Sequence, residues 1–513
     1  MLNTTYLGQK GYTILKSELT AEQKSVLIKD LTAKPFVPGA PCANKQNDTY
    51  PVYRESANKF YIPRFYGEDK FGPAKEIKIT EGDNIALTFA GDLREHQKPV
   101  VKTYLEHVSI GDKGGGGSGG GGSRGGGSRG GGGLLELPCA FGKTVLGINI
   151  ISQIKKKTLI IVHKEFLMNQ WIERIDQFLP GAKIGKIQGQ IIDIDGKDIV
   201  IGMLQSLSMK EYPSTTFDSF GLTIIDEVHH ISSEVFSCAL FKIVTKYTLG
   251  LSATMNRKDG TTHIFKMFLG NVVYKGKRDE DHEVVVRAIN YTTTDEDFNN
   301  VILDFRGNVQ HSSMISKLCA YNRRSEFILR VLSDMLVENS EQQIMILAHN
   351  RCLLTYFYDA ISSRNIASVG YYVGGMKEKA LKESESKKVI IATYSMAAEA
   401  LDIKTLTTLI MATPKSDIEQ SVGRILRVPG SKPVVVDIID AHQPFKNQFN
   451  KRKVFYKKQN YKIIQIDSGS YHTDTSIWNC ITGVGIGGGL GKKKGDCDND
   501  NNGYGKCMLK LKK

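Results

Sequence analysis

Short apolar runs separated by helical stretches constrain the fold of this chain more than any other feature. Thr158-Leu159-Ile160-Ile161-Val162, Ile199-Val200-Ile201-Gly202 and Leu222-Thr223-Ile224-Ile225 form one set. Gln343-Ile344-Met345-Ile346-Leu347, Lys388-Val389-Ile390-Ile391-Ala392, Thr408-Leu409-Ile410-Met411 and Pro433-Val434-Val435-Val436 form a second. A strand wetted on one side alternates apolar with polar residues, so continuous apolar runs belong to strands covered on both faces. With helices between them, the runs predict an α/β fold of parallel sheets, and their repetition predicts two lobes in tandem. The lobes are expected over 86–275 and 276–467, after a small α+β accessory domain over 1–85 and before a disordered, low-complexity tail over 468–513. A length of 513 residues agrees with several hydrophobic cores. Ligands of such sheets bind beyond the carboxyl ends of the strands, here in the cleft between lobes.

Two motifs stand at those strand ends. In Leu137-Pro138-Cys139-Ala140-Phe141-Gly142-Lys143-Thr144 an apolar strand turns into a helix, so backbone N–H groups and a helix N-terminus can face phosphates. Lys143 would neutralise the β- and γ-phosphates of ATP and Thr144 would ligate Mg²⁺. Leu137 stands where the strict pattern has Gly or Ala. Downstream, the run Leu222 to Ile225 ends in Asp226-Glu227-Val228-His229. Such an acidic pair can cap the next helix, or it can serve a nucleotide, with Asp226 holding Mg²⁺ and Glu227 deprotonating the attacking water. The phosphate loop upstream favours the second reading. Ser252 and Thr254 of Leu251-Ser252-Ala253-Thr254 offer hydroxyls to tie the carboxylate strand down, and His229 is placed to sense the other lobe. That lobe ends in Gln420-Ser421-Val422-Gly423-Arg424-Ile425-Leu426-Arg427, two guanidinium groups about one helical turn apart. Arg424 and Arg427 can reach the γ-phosphate, Arg427 as an arginine finger, or they can form a solvated basic face.

A formal net charge of +14 favours a polyanionic partner, nucleic acid or an acidic membrane surface. The eight cysteines include no CxxC pair, which argues against a zinc site and a disulfide framework and for a reducing compartment. No signal-peptide pattern opens the chain and no stretch of about 18 apolar residues occurs, so a soluble intracellular protein is expected, with no membrane partner. Thr20-Ala21-Glu22-Gln23 reads as a capping box. Tyr61-Ile62-Pro63-Arg64-Phe65-Tyr66-Gly67 either packs a domain boundary or stacks on nucleobases. The glycine tract from Gly114 to Gly133 reads as a flexible loop between a helix starting near Arg94 to Gln97 and a strand Leu134 to Leu137. Lys446, Lys451, Arg452, Lys453, Lys457, Lys458 and Lys462, interleaved with Phe449, Phe455, Tyr456 and Tyr461, suit a backbone-binding helix or an amphipathic helix with its lysines in water. In the tail, Asp498 to Gly503 imitates a calcium loop but has Leu509 at its twelfth position, and Gly487 to Lys492 imitates a phosphate loop without a preceding strand.

In order and spacing these motifs resemble those of a superfamily 2 helicase with two RecA-like P-loop domains, over roughly residues 90 to 440. Leu93-Arg94-Glu95-His96-Gln97 is similar to the adenine-recognising segment, which makes Gln97 the base contact. Val162-His163-Lys164 through Gln170-Trp171, and Ile201 to Leu207, resemble strand-contacting motifs. Ala392 to Asp402 resembles the motif that couples ATP to the strand, with Asp402 on the nucleotide side and Gln420 joining Arg424 and Arg427 in catalysis. The DEVH box and Leu251 to Gly260 are most similar to XPB-type helicases and to the transcript-release helicases of large cytoplasmic DNA viruses such as poxviruses. Ala140 and Ala400 stand where that family has Gly, which implies slower turnover. The resemblance implies nucleic acid across the tops of both lobes, DNA rather than RNA, and closure of the lobes by ATP. A partner in the viral transcription machinery, and a place in the host cytoplasm, the viral factory or the virion, would follow. Rival readings are an RNA helicase and a nucleotide-gated clamp without unwinding.

Overall fold

The computed structural model describes residues 4–35, 49–110, 130–138, 141–230, 233–255, 257, 259–276, 283–399, 403, 405–426 and 430–482. A five-stranded sheet and two eight-stranded sheets carry the fold, beside a two-stranded ribbon. In the first large sheet the carboxylate strand Leu222–Asp226 lies between Thr158–Val162 and Tyr247–Ser252, and Gly131–Glu136 follows on the far side of Tyr247–Ser252. These strands run parallel, with Asp226 level with Leu251 and Ser252 level with Glu136. The residues that follow each strand therefore gather at one carboxyl edge. The second large sheet repeats the arrangement around Gln343–Ala348, Leu406–Met411 and Val434–Asp440, all parallel.

Alternation along each strand explains why the runs are apolar throughout. Leu159, Ile161 and Val200 enter one core, whereas Ile160, Val162, Ile199 and Ile201 enter the core on the opposite face. Each such side chain contributes roughly 1.5–3 kcal/mol when fully buried. The second lobe is covered in the same way, Ile344 and Ile346 facing one core and Met345 and Leu347 the other. Two tandem α/β lobes result. No helix among the described residues is long and apolar enough to cross a membrane.

Two expectations at the ends of these lobes need correction. The strand after the glycine tract starts at Gly131, not Leu134, with Gly131, Gly132 and Gly133 level with Tyr247, Thr248 and Leu249. A Cβ on Gly132 would lie 2.0 Å from Thr248 Oγ1, and one on Gly133 would lie 2.2 Å from the Val273 side chain. Those glycines admit a close approach of neighbouring chain inside the sheet, which composition alone reads as loop. The expected tail also starts too early at 468. Asn479–Thr482 pairs antiparallel with Lys462–Asp467, and Trp478 is buried. The two imitation motifs beyond it, like residues 114–129 of the glycine tract, lie outside the described residues.

The five-stranded sheet belongs to the accessory domain and has the order Arg54–Glu55, Lys59–Ile62, Gly11–Leu15, Thr5–Gly8, Glu76–Ile77. Its helix Ala21–Asp30 opens with the capping box read from the sequence. Thr20 Oγ1 accepts from Gln23 N at 3.1 Å and Gln23 Oε1 accepts from Thr20 N at 2.9 Å. A second helix, Arg64–Phe71, packs on Thr262–Leu269 of the first lobe. Arg64 is buried there and donates from Nη1 to Lys246 O at 2.9 Å. Within the Tyr61 to Gly67 cluster, Arg64 thus serves the domain boundary.

Candidate active site

The loop after Gly131–Glu136 passes through Leu137 and Pro138 into Phe141, Gly142 and the helix Lys143–Ile154; Cys139 and Ala140 lie outside the described residues. Gly142 caps the helix at φ +88°, a left-handed conformation, and a Cβ there would lie 2.4 Å from Gln97 Nε2. Gln97 is buried. It donates from Nε2 to Phe141 O at 2.8 Å and accepts at Oε1 from Arg94 N at 3.0 Å. The Gln97 side chain therefore braces the phosphate loop, a contact that motif order alone does not reveal. Lys143 and Thr144 open the helix, where the N–H groups of a first turn and the positive end of the helix dipole favour an anion.

Asp226 ends its strand 5% exposed, with Oδ2 accepting from Trp171 Nε1 and Oδ1 from Glu227 N, each at 2.9 Å. Burial pushes its carboxyl up to about 6, helped by the Glu227 charge and opposed by Lys143 and by the Trp171 hydrogen bond. Glu227 adopts φ +50°. A side chain in that conformation costs about 1–2 kcal/mol, which is the kind of strain that collects at functional sites. The turn carries the Glu227 carboxylate to Lys143, Oε1 to Nζ 2.9 Å, and brings Oε2 within 3.4 Å of His229 Nδ1. His229 Nδ1 also lies 2.6 Å from Ser252 Oγ, which donates to Thr254 O at 2.6 Å. Across the cleft, Gln420 Nε2 lies 2.8 Å from His229 Nε2. One tautomer satisfies every bond in the chain: Nδ1–H donates to Ser252 and Nε2 accepts from Gln420.

Two residues of the site escaped the sequence reading. Trp171, assigned to a strand-contacting motif, is 1% exposed and points its indole N–H at Asp226, so it supports the carboxylate instead of meeting a strand. Gly147 makes room for it, since a Cβ there would lie 2.8 Å from the indole ring. Arg257 donates from Nη1 to His229 O at 2.9 Å while Asp259 and Thr261 hold its Nε. Arg257 and Asp259 were visible only as part of the Leu251 to Gly260 segment. A burial-sized aromatic spaced on the apolar face of Glu165–Phe178 was the sole signal for Trp171.

On the second lobe, Gln420 lies in the short helix Glu419–Gly423 and the partly buried Arg424 forms its C-cap. The helix expected to carry both arginines therefore stops at Gly423. Arg427, Asp402 and Ala400 lie outside the described residues. The segment that leads from Leu406–Met411 to this helix is held at successive carbonyls. Arg324 Nη1 donates to Ala412 O at 2.8 Å, the Tyr394 hydroxyl to Thr413 O, and Arg452 Nη1 to Lys415 O at 2.7 Å. Both guanidinium groups are themselves fixed by buried carboxylates, Arg324 by Asp440 at 2.6 and 2.9 Å and Arg452 by Asp437 at 2.8 Å twice. This corrects the reading of Arg452 as a strand-binding residue: it is 1% exposed, on the inner face of the helix Gln443–Lys458 with Phe445, Phe449 and Tyr456. Lys446, Lys451, Lys457 and Lys458 remain exposed on the outer face. Further contacts join the lobes away from the carboxylates, Lys382 Nζ to Glu173 at 2.9 Å and Asn169 Nδ2 to Glu378 at 3.1 Å.

A family model described as "Type III restriction enzyme, res subunit" matches residues 90–257. L396 of Acanthamoeba polyphaga mimivirus, named as a candidate ATP-dependent RNA helicase, is 33% identical over 487 residues, covering 93% of this chain and 89% of that protein. QP509L of African swine fever virus (isolate Pig/Kenya/KEN-50/1950), similarly named, is 30% identical over 67% of this chain and 73% of its own length. The crystal structure of T4 UvsW aligns with 91% of this chain and 100% of that one, at 17% identity and a TM-score of 0.36. On its identity to the mimivirus protein and the length that likeness covers, the chain belongs to the ATP-hydrolysing superfamily 2 helicases of large DNA viruses.

Proposed function

We propose that the cleft couples ATP hydrolysis to movement along DNA in viral transcription, as in the XPB-type transcript-release helicases that the sequence resembles. The observation that carries this reading is one chain of contacts, Lys143 to Glu227 to His229 to Gln420, running from the phosphate loop to the opposite lobe. Lys143 and the backbone N–H groups that follow Pro138 in the loop, up to Thr144, would bind phosphate, and Gln97 would meet the adenine while bracing the loop. The oxygen donors of Thr144 and Asp226, a hydroxyl and a buried carboxylate, are of the kind that suits a hard cation, and Mg²⁺ held there would neutralise charge on the phosphates. Glu227 takes the proton of the attacking water. Gln420 and Arg424 belong to the second lobe, and with Arg427 and Asp402 serving the nucleotide from that lobe, as the family resemblance implies, hydrolysis would depend on closure. Exposed lysines of the helix Gln443–Lys458 supply charge for a phosphate backbone.

An RNA strand is the second reading, favoured by the names of the mimivirus and African swine fever virus relatives. Hydrolysis and unwinding assayed on matched DNA and RNA duplexes with single-stranded tails separate the two. The DNA reading expects DNA to stimulate hydrolysis and to be unwound. Stimulation by RNA alone would overturn it, and stimulation without strand separation would mark a translocase or clamp.

A further inference from the structure

The accessory sheet has a core face and a second face whose tyrosines are partly exposed. Leu7, Tyr12, Ile14, Phe60 and Ile62 enter the domain core. On the other face, Tyr6 pairs with Thr13, and Thr13 with Tyr61, a single row across three strands because directly paired residues share a face. The two rings stand two strands apart, about 9.6 Å at ordinary strand spacing. Thr13 between them is 1% exposed. The Tyr6 ring leans over Gly8, where a Cβ would come within 3.1 Å of it. Three ammonium groups surround the rings. Lys78 Nζ lies 4.3 Å from the Tyr6 centroid and Lys10 Nζ 5.3 Å from that of Tyr61, while Lys59 Nζ donates to the Tyr6 hydroxyl at 3.1 Å. Glu76, level with Tyr6 and paired to Lys78 at 2.7 Å, is the acidic member of the row.

Cations held over π faces make a surface that can exchange partners: a phosphate draws the ammonium aside and a base takes its place on the ring. An acidic protein segment would use the lysines but has no need of two rings in register. From this geometry we infer that the Tyr6–Tyr61 face is a second binding site for single-stranded nucleic acid, outside the cleft. The domain is anchored through Arg64 to Lys246 O, just before Tyr247–Ser252, at the amino end of the strands whose carboxyl ends carry the nucleotide residues. A strand engaged at both places is held bivalently, so release from one site does not free it. The inference rests on the motor reading for the identity of the polyanion.

The test uses the full chain without nucleotide and a fluorescein-labelled single-stranded oligonucleotide, DNA and RNA in turn, read by fluorescence anisotropy. Replacing both rings, Tyr6→Ala with Tyr61→Ala, is expected to weaken binding about tenfold or more, as loss of two stacked bases does. Tyr6→Phe with Tyr61→Phe keeps the rings and should stay within about twofold, which separates stacking from damage to the fold. Lys10→Glu with Lys78→Glu should weaken binding and flatten its salt dependence by about 1.4 in log–log slope, the share of two phosphate contacts on a single strand. Alanine variants that bind like wild type would rule out this face and leave the motor reading intact. A polyglutamate peptide that binds as tightly as the oligonucleotide and is lost in the same variants would reassign the face to an acidic protein. A wild-type chain that binds no strand would overturn both readings.

Discussion

With Asp226 as the proposed metal ligand, its protonation sets the acid limit expected for hydrolysis. Its carboxyl is raised from the ordinary value of 3.8 to about 6, chiefly by burial. Because the folded value lies above the unfolded one, this group's contribution to stability is fully present below about 3.8 and is lost as pH rises through about 6. Metal binding has the opposite demand, since only the ionised carboxylate holds a cation. Hydrolysis should therefore fall as pH drops through about 6. Trp171→Phe removes a hydrogen bond that favours the ionised form, worth about 1.5–3 kcal/mol when the acceptor is charged, so the acid limb should move up by about one pH unit or more. A pH profile of kcat for the two proteins checks this. A Trp171→Phe profile that falls uniformly, without displacement, would mean that the indole only packs.

Among the elements, the ordered connection from Leu406–Met411 to the Gln420 helix depends on buried charge rather than on helix propensity. Arg452→Met leaves Asp437 buried without its guanidinium partner, beside the Tyr456 hydroxyl that donates to it, and removal of one member of such a pair costs about 3–5 kcal/mol. Urea unfolding should show that loss, whereas Lys451→Ala on the exposed neighbour should stay within about 0.5 kcal/mol. Equal stability of the two variants would contradict the bracing role. These pairs also show where legibility stops. The strands of both lobes were readable because a strand covered on two faces must be apolar at every position, as at Thr158–Val162. The capping box at Thr20 and Gln23 was readable because both partners lie three residues apart. Arg452, Trp171 and Gly132 were misread for one shared reason: each takes its meaning from a partner distant in sequence, respectively Asp437 with Lys415, Asp226, and Thr248. Local composition makes the first look like a basic surface, the second like a strand contact and the third like a loop.

At the scale of the whole molecule, two lobes of the same construction meet across the candidate site, and His229 is the contact between them nearest its carboxylates. Its two ring nitrogens serve different lobes, Nδ1 toward Ser252 and Glu227 and Nε2 toward Gln420. A change at the γ-phosphate that moves Glu227 thus reaches the second lobe through one side chain, and the surface pairs Lys382–Glu173 and Asn169–Glu378 keep the lobes in register beside it. Such exposed pairs are worth at most about 1 kcal/mol each, so they can yield when the lobes move. Everything downstream requires that Glu227 act on water at the phosphate. Steady-state ATP hydrolysis by Glu227→Gln, at saturating strand and Mg²⁺, tests that requirement most directly. The predicted result is a fall of about 10²–10⁴-fold with nucleotide still bound, the range expected for loss of a general base. Hydrolysis at the wild-type rate would contradict the assignment of the carboxylate and the coupling built on it.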